Sequence, residues 1–560
     1  YTDYFGVLLK QETRSVQLSP FGDQVLSLEE PPRYWRAELT VQDGKRKGLP
    51  HLHYPSPSVY NVARPEVMVL RDGWFSAPGA AGKQTVPKPE RFEPATVPLR
   101  WNSRWKEKSH DLWLKRTLSV PAAWKGKRIA LYFPDLRYRA DLFINGKLVG
   151  TKSIHQTPGK IDLSSRVRPG ESAELMLRIT DFTALLAEGI PVPPPGKFDV
   201  PDRAFLSSVS IARKGMMPSL ETAPELLAVP EVRIEHAGIR TFVENGKRLQ
   251  VLFELENDSG KSGNYTLFSR IYRNGSPVRE LPAQKVRFSE GEKKRETALE
   301  IPWEDALLWS PDTPVLYELR TELKDPEGKA ADLRRDRFGF REFKVAGRHF
   351  RLNGKPFQAG GFSGMGVRYI LWPFTPRSFP LGRHGLQCEE KTTYGVSEEH
   401  RADETGMCLK AENTLHCGFG QARFAYQDPR FWANLKEHMK HLIRAAENHP
   451  SILLWDIGNE NYFPLPGEAE RMGKFIAEIR EMDPTRTAHA GGAGVFPKGP
   501  AVNVLDIHGF GEPNRRTFFF LHPEQRPASL LRSGIYNYMP KGENPENWQE
   551  AFRWDYLLDP

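Results

Sequence analysis

Cysteine is almost absent from this chain. Cys388, Cys408 and Cys417 are the three among 560 residues, all in the last third. None shows a CxxC spacing, so neither a disulfide framework nor a zinc centre is supported, and we expect no metal and no cofactor. Long apolar runs are missing too: none approaches the roughly 18 residues of a membrane span. A concentrated basic stripe is also lacking. The formal charge is +9, yet the 79 Lys and Arg residues are scattered through strand-like segments, which argues against nucleic acid as a partner. Such a surplus speaks first to solubility and steering; an acidic or sulfated glycan is the ligand it would attract. The chain opens on Tyr1 with neither a basic segment nor an apolar core. We therefore expect a processed or trimmed start, which is silent on export, and favour a periplasmic or secreted protein.

Turn-forming residues are plentiful, with 47 prolines and 46 glycines beside 39 % hydrophobic and 11 % aromatic residues. This is a loop-rich globular composition, long enough for about three domains. The pattern divides the chain at 1–220, 221–345 and 346–560. In the first region Asp111-Leu-Trp-Leu-Lys-Arg-Thr-Leu-Ser-Val-Pro121 alternates as a half-buried strand does. Ala140-Asp-Leu-Phe-Ile-Asn-Gly-Lys-Leu-Val-Gly150 sets Asn145-Gly146 between two apolar runs, a strong hairpin signal. Short strands at this spacing predict a sandwich. The second region, from about Glu225, alternates again in Arg248-Leu-Gln-Val-Leu-Phe-Glu-Leu255 and Tyr265-Thr-Leu-Phe-Ser-Arg-Ile-Tyr272, and about 120 residues of this patterning predict another sandwich.

The third region changes rhythm. Helical and strand-like segments alternate, as a parallel barrel requires. Leu435, Met439, Leu442 and Ile443 recur at helical spacing, with His438 and His441 read as solvated-face residues. The stretch His449-Pro-Ser-Ile-Leu-Leu-Trp-Asp-Ile-Gly-Asn-Glu-Asn461 follows. Its apolar run, broken only by Asp456, reads as a buried parallel strand, and residues at the C-terminal end of such a strand face the reaction centre of an α/β barrel. Glu460 is therefore a candidate catalytic acid.

These phrases resemble glycoside hydrolase family 2, the family of β-galactosidases, β-glucuronidases and β-mannosidases. The segment from Trp113 to Asp181 is similar to its sugar-binding jelly-roll domain. Leu308-Trp-Ser-Pro-Asp-Thr-Pro-Val-Leu-Tyr-Glu-Leu319 and Arg337-Phe-Gly-Phe-Arg-Glu342 resemble its immunoglobulin-like domain, and Phe350-Arg-Leu-Asn-Gly-Lys-Pro-Phe357 resembles the entry to its (β/α)8 TIM barrel. The resemblance implies a retaining exo-β-glycosidase, β-galactosidase-like, whose partner is a carbohydrate; assembly into a homo-oligomer is compatible with it. It makes Glu460 the acid/base and Asn459 the amide that binds the sugar's 2-hydroxyl. Glu412 and Asn413 stand at the active-site end of the third strand, His508 at the end of the sixth, and Tyr536, with Trp455, Tyr462 and Tyr538, is a candidate for stacking on sugar faces.

The sequence departs from the family pattern where the nucleophile belongs. A Glu should end the seventh strand, but Arg526-Pro-Ala-Ser-Leu-Leu-Arg-Ser-Gly-Ile-Tyr-Asn-Tyr538 puts Gly534, or Ser533, at that position. Three explanations stand: the Glu was replaced, the protein is naturally impaired, or Glu512 or Glu543 serves instead. Glu390 and Thr393 occupy positions where the family's second strand carries Arg and His. Some 210 residues from Phe350 onward, against about 250 for a typical barrel, lead us to expect an incomplete barrel. A non-hydrolysing carbohydrate-binding protein on a degenerate barrel is the alternative.

Overall fold

Alternation of buried and exposed side chains drives the first two-thirds of the chain into antiparallel sheets. The computed structural model describes residues 1, 8–14, 36–39, 42–43, 46–47, 51–53, 66–79, 85–97, 99, 111–134, 136, 139–153, 158–180, 220, 222–346, 349–357, 360–363, 385–388, 397–413, 429–458, 467–490, 499–501, 504–506 and 529–531. In the first region the strand Asp111–Ser119 lies centrally in a six-stranded sheet, between Ser172–Thr180 and Trp74–Pro78. The expected hairpin joins Arg139–Ile144 to Lys147–Ser153. Its Asn145 and Gly146 have φ of 48° and 74°, the left-handed pair that a tight two-residue turn requires. A four-stranded sheet built on Arg128–Phe133 packs across from it, and Leu112, Leu114, Leu142 and Leu177 meet Leu131, Phe133 and Leu226 in the core between.

One boundary needs correcting. The sequence reading assigned Glu225–Val229 to the second region, but this strand pairs with Arg128–Phe133 and Val67–Val69 of the first sandwich. All five of its residues are buried, as befits a strand flanked on both sides. The second sandwich therefore starts at Val232. It sets Val232–Phe242, Arg248–Asn257 and Lys294–Pro302 against a sheet of Ser276–Glu280, Gly263–Arg273, Tyr317–Lys324 and Ala330–Phe338. Strict alternation in Arg248–Asn257 turns Leu249, Val251, Phe253 and Leu255 inward.

Beyond it the sheet becomes parallel. Strands β1 (Gly360–Ser363), β2 (Gly385–Cys388), β3 (Cys408–Glu412), β4 (Ile452–Asp456) and β5 (Thr487–His489) lie side by side in chain order. Helix α1 (Ser397–Thr405) leads from β2 to β3, α2 (Pro429–Ala446) from β3 to β4, and α3 (Glu468–Met482) from β4 to β5. Strands β6 (Val504–Asp506) and β7 (Ser529–Leu531) form a further parallel pair. This repeating strand–helix order is the wall of a βα barrel. Leu435, Met439, Leu442 and Ile443 of α2 are buried, as their spacing predicts, and Met472, Phe475, Ile476 and Ile479 of α3 join them.

The second sandwich grips the foot of this wall. Arg341, just past its last strand, is buried and donates from Nε to Pro450 O (3.1 Å) and from Nη2 to Ile452 O (2.7 Å). Arg337 reaches Glu404 (2.7 Å) and His400 O (3.1 Å) on α1. The Trp309 indole donates to Asp403 O at 2.8 Å. Gly339 permits the close approach: a Cβ there would lie 2.6 Å from Pro450 Cγ.

Candidate active site

Strand β4 is buried along its whole length, and Ile457 and Gly458 continue the burial past its end. Alternation gives it two faces. Trp455 turns toward the end of α3, where it is fully buried, donates to Asp483 Oδ2 at 2.9 Å and packs 5.2 Å from the Arg486 guanidinium. Burial alone would raise the Asp483 carboxyl, but Arg486 and the bonds from Thr485, Arg486 and Trp455 bring it down to about 2. Trp455 therefore packs inside the wall, and its reading as a sugar platform is corrected. Its hydrophobic body and single N–H are both satisfied there.

The other face carries charge. Asp456 stands opposite Glu412 of β3 and His489 of β5 in the register of the sheet. Lys410 Nζ lies 2.6 Å from Asp456 Oδ2, with the two side chains 1 % and 0 % exposed. His489 Nε2 is 3.9 Å from the same oxygen and equally buried. The other carboxylate oxygen, Oδ1, accepts the Gly458 N–H at 3.1 Å. Backbone bonds brace this end further: Asn413 N–H to Asp456 O (2.8 Å) and Ile457 N–H to His489 O (2.9 Å). Gly458 takes φ +149°, a conformation that side-chain-bearing residues rarely adopt.

At the opposite end of β4, Arg486 donates to Ile452 O, Glu447 O and His449 O, each at 2.8 Å, beside the Arg341 bonds. Burial, and then repulsion from Arg486, holds Arg341 well below the ordinary guanidinium range. His400, Asp403 and His449 form a cluster of ligand-type atoms within 4.8 Å. Hydrogen bonds knit it into the domain contact: His449 Nδ1 pairs with Asp403 Oδ2 (2.6 Å), and Ser451 Oγ donates to Asp403 Oδ1 (2.6 Å). Burial pushes the Cys408 thiol up to about 12, which leaves no thiolate to act as a nucleophile at neutral pH.

The sequence-predicted site residues divide. Glu412 is the last residue of β3, at the rim beside Asp456. Asn413 is buried and tied to α2, with Oδ1 2.5 Å from His438 Nδ1 and Nδ2 3.7 Å from Met439 Sδ. His438 is therefore not a solvated-face residue as expected; α2 turns it inward to meet this amide. His441 is half-buried, and burial, then Lys152, lowers its pKa. Asn459, Glu460, His508 and Tyr536 lie outside the described residues, as do Ser533, Gly534, Glu512, Glu543, Glu390 and Thr393. Sequence reasoning missed Lys410, His489, Arg341 and Arg486. Asp456 was visible as the single break in the β4 run, and an acid in a buried strand calls for a partner; nothing in the sequence named Lys410 as that partner.

The model of glycosyl hydrolases family 2 matches residues 232–341, the second sandwich, and that of the family 2 TIM barrel domain matches 388–507, from the end of β2 to just past β6. A β-galactosidase of Enterobacter cloacae is 22 % identical over 402 residues, covering 68 % of this chain and 36 % of the relative. A β-glucuronidase of Paenibacillus borealis is 24 % identical over 428 residues, covering 70 % and 66 %. The chain thus spans only about a third of the first relative's length. Among solved structures, a family 2 β-galacturonidase from Eisenbergiella tayi bound to galacturonate shares the fold, with a TM-score of 0.66 at 18 % identity, over 87 % of this chain and 85 % of that one.

Proposed function

The chain belongs to glycoside hydrolase family 2, and from that premise we propose that it is a retaining exo-β-glycosidase with Glu460 as its acid/base. The observation that carries this reading is the braced end of β4: Asp456 is flanked by β3 and β5 and in turn holds the Gly458 N–H, immediately before Asn459 and Glu460. A glycosidic bond breaks through an oxocarbenium-like transition state, so a carboxylic acid must protonate the leaving oxygen while a second carboxylate attacks the anomeric carbon. Glu460 supplies the proton and Asn459 holds the 2-hydroxyl. A β-galactoside is the substrate class favoured. The charge of +9 and the uronic-acid enzymes among the similar proteins support an acidic glycan as the next.

Gly534 offers no carboxylate for the attack. That favours a second reading, a carbohydrate-binding protein that does not hydrolyse. One set of assays separates them. Sodium azide and 2,4-dinitrophenyl β-glycosides are supplied to the unmodified chain. Azide forms the C–N bond at the anomeric carbon as the C–O bond to dinitrophenolate breaks, so a glycosidase lacking its nucleophile yields the α-glycosyl azide. Gly534→Glu should then hydrolyse with retention. Adding Glu460→Gln should cost about 10²- to 10⁴-fold on substrates with poor leaving groups. Retaining hydrolysis by the unmodified chain would instead assign the nucleophile to Glu512 or Glu543. Glycan binding with no turnover by any form would establish the second reading.

A further inference from the structure

We propose that Lys410 and Asp456, with His489 beside them, are positioning residues for the acid, an inference that rests on the reading of Glu460 given above. Barrel interiors are ordinarily filled by layers of branched apolar side chains. Here three adjacent strands instead bury an ammonium, a carboxylate and an imidazole. Removing such groups from water is costly, and equally voluminous apolar residues often serve stability as well or better. The trio is therefore poorly explained as a stabilising device.

Its location gives it another use. Asp456 divides its carboxylate between two tasks: Oδ2 meets Lys410 from β3, with His489 approaching from β5, and Oδ1 holds the Gly458 N–H. Lys410 fixes the rotamer of Asp456, Asp456 fixes the peptide of Gly458, and that peptide starts the Gly458-Asn459-Glu460 segment. The positive φ of Gly458 is freely open to glycine, so which conformation its peptide takes must be determined by its surroundings. The bond from Asp456 and the backbone bonds to β3 and β5 supply that determination. The side-chain charges thus act on the acid through two intervening residues, without touching substrate.

Leaving-group dependence tests this directly, because a dinitrophenolate departs without a proton whereas a phenolate needs one. Asp456→Asn keeps an oxygen for Gly458 but removes the charge; Lys410→Met removes the counter-charge; Lys410→Arg conserves it. Rates are measured on phenyl and dinitrophenyl β-glycosides, using the unmodified chain with azide, where no glycosyl-enzyme intermediate has to be hydrolysed by the same residue acting as base. We expect Asp456→Asn and Lys410→Met to lower kcat on the phenyl glycoside about 100-fold, while the dinitrophenyl rate and both KM values stay within about 3-fold. Lys410→Arg should recover most of the loss. Equal losses on both substrates would mean a merely structural pair, and no loss on either would mean an irrelevant one; both overturn the proposal. Glu460→Gln is the control. If it does not discriminate between leaving groups, the assignment of the acid fails, and this inference fails with it.

Discussion

The two ends of β4 are held in opposite ways. At its foot, guanidinium groups of Arg341 and Arg486 bind backbone carbonyls of residues 447–452. Any side chain at those positions would still present a carbonyl, so this grip is tolerant of sequence. At its rim, Lys410, Asp456 and His489 interact side chain to side chain, and only particular residue types will do. The foot is joined to another domain; the rim is braced by neighbouring strands. Stability in such barrels is concentrated at the N-terminal face and chemistry at the C-terminal face, and here one strand of five residues spans the two faces.

The sharpest way to break the contrast is at the foot. Arg341→Met removes both bonds and leaves the buried Pro450 carbonyl without its donor, a loss of about 3 kcal/mol, partly offset by relief of repulsion from Arg486. Urea denaturation should show it, with the phenyl-to-dinitrophenyl rate ratio of surviving native protein unchanged. At the rim, Gly458→Ala should cost about 2 kcal/mol through backbone strain. In contrast to the foot variant, it should depress turnover of the phenyl glycoside out of proportion to stability. An intermediate case lies on the helix side: His438→Leu removes the bond between His438 and the buried Asn413 Oδ1 for about 1–1.5 kcal/mol, and adding Asn413→Leu should cost less than the sum of the singles.

The smallest effect at neutral pH is expected in the pH dependence of the foot. Burial, then His449 and Arg337, holds His400 well below its ordinary 6.5. Below that value the unfolded chain takes up a proton that the folded protein refuses. Stability is therefore full above about pH 6.5 and falls as the pH drops, by at most about 1.4 kcal/mol per unit for this one group. His400→Gln should flatten that acid limb in thermal melts between pH 7 and 5, and a limb that stays equally steep would remove His400 from the account.

Much of the fold could be read in advance because its signals are local. The Asn145-Gly146 hairpin, the alternation of Arg248–Asn257 and the α2 stripe all depend on residues a few positions apart, and all are present. The misreadings came from features that depend on distant partners. Glu225–Val229 was assigned to the wrong sandwich because a buried central strand does not reveal which sheet it joins. His438 looked polar and therefore exposed, but its place was decided by Asn413, 25 positions away. For the same reason, Lys410 and Asp456 could be recognised as a pair only once β3 and β4 lay side by side.

The Arg341 grip also bears on how the protein is made. The carbonyls it binds belong to residues 109 and 111 positions later in the chain, so during synthesis the sandwich emerges first and waits for them. Domains generally fold as units in that N-to-C order. A completed sandwich presents its arginines and the notch at Gly339 as a ready-made dock, which α1 meets first through Arg337 and β4 next through Arg341. In that order of events the sandwich serves the nascent barrel as a template, fixing the foot of the fourth strand before the seventh has left the ribosome.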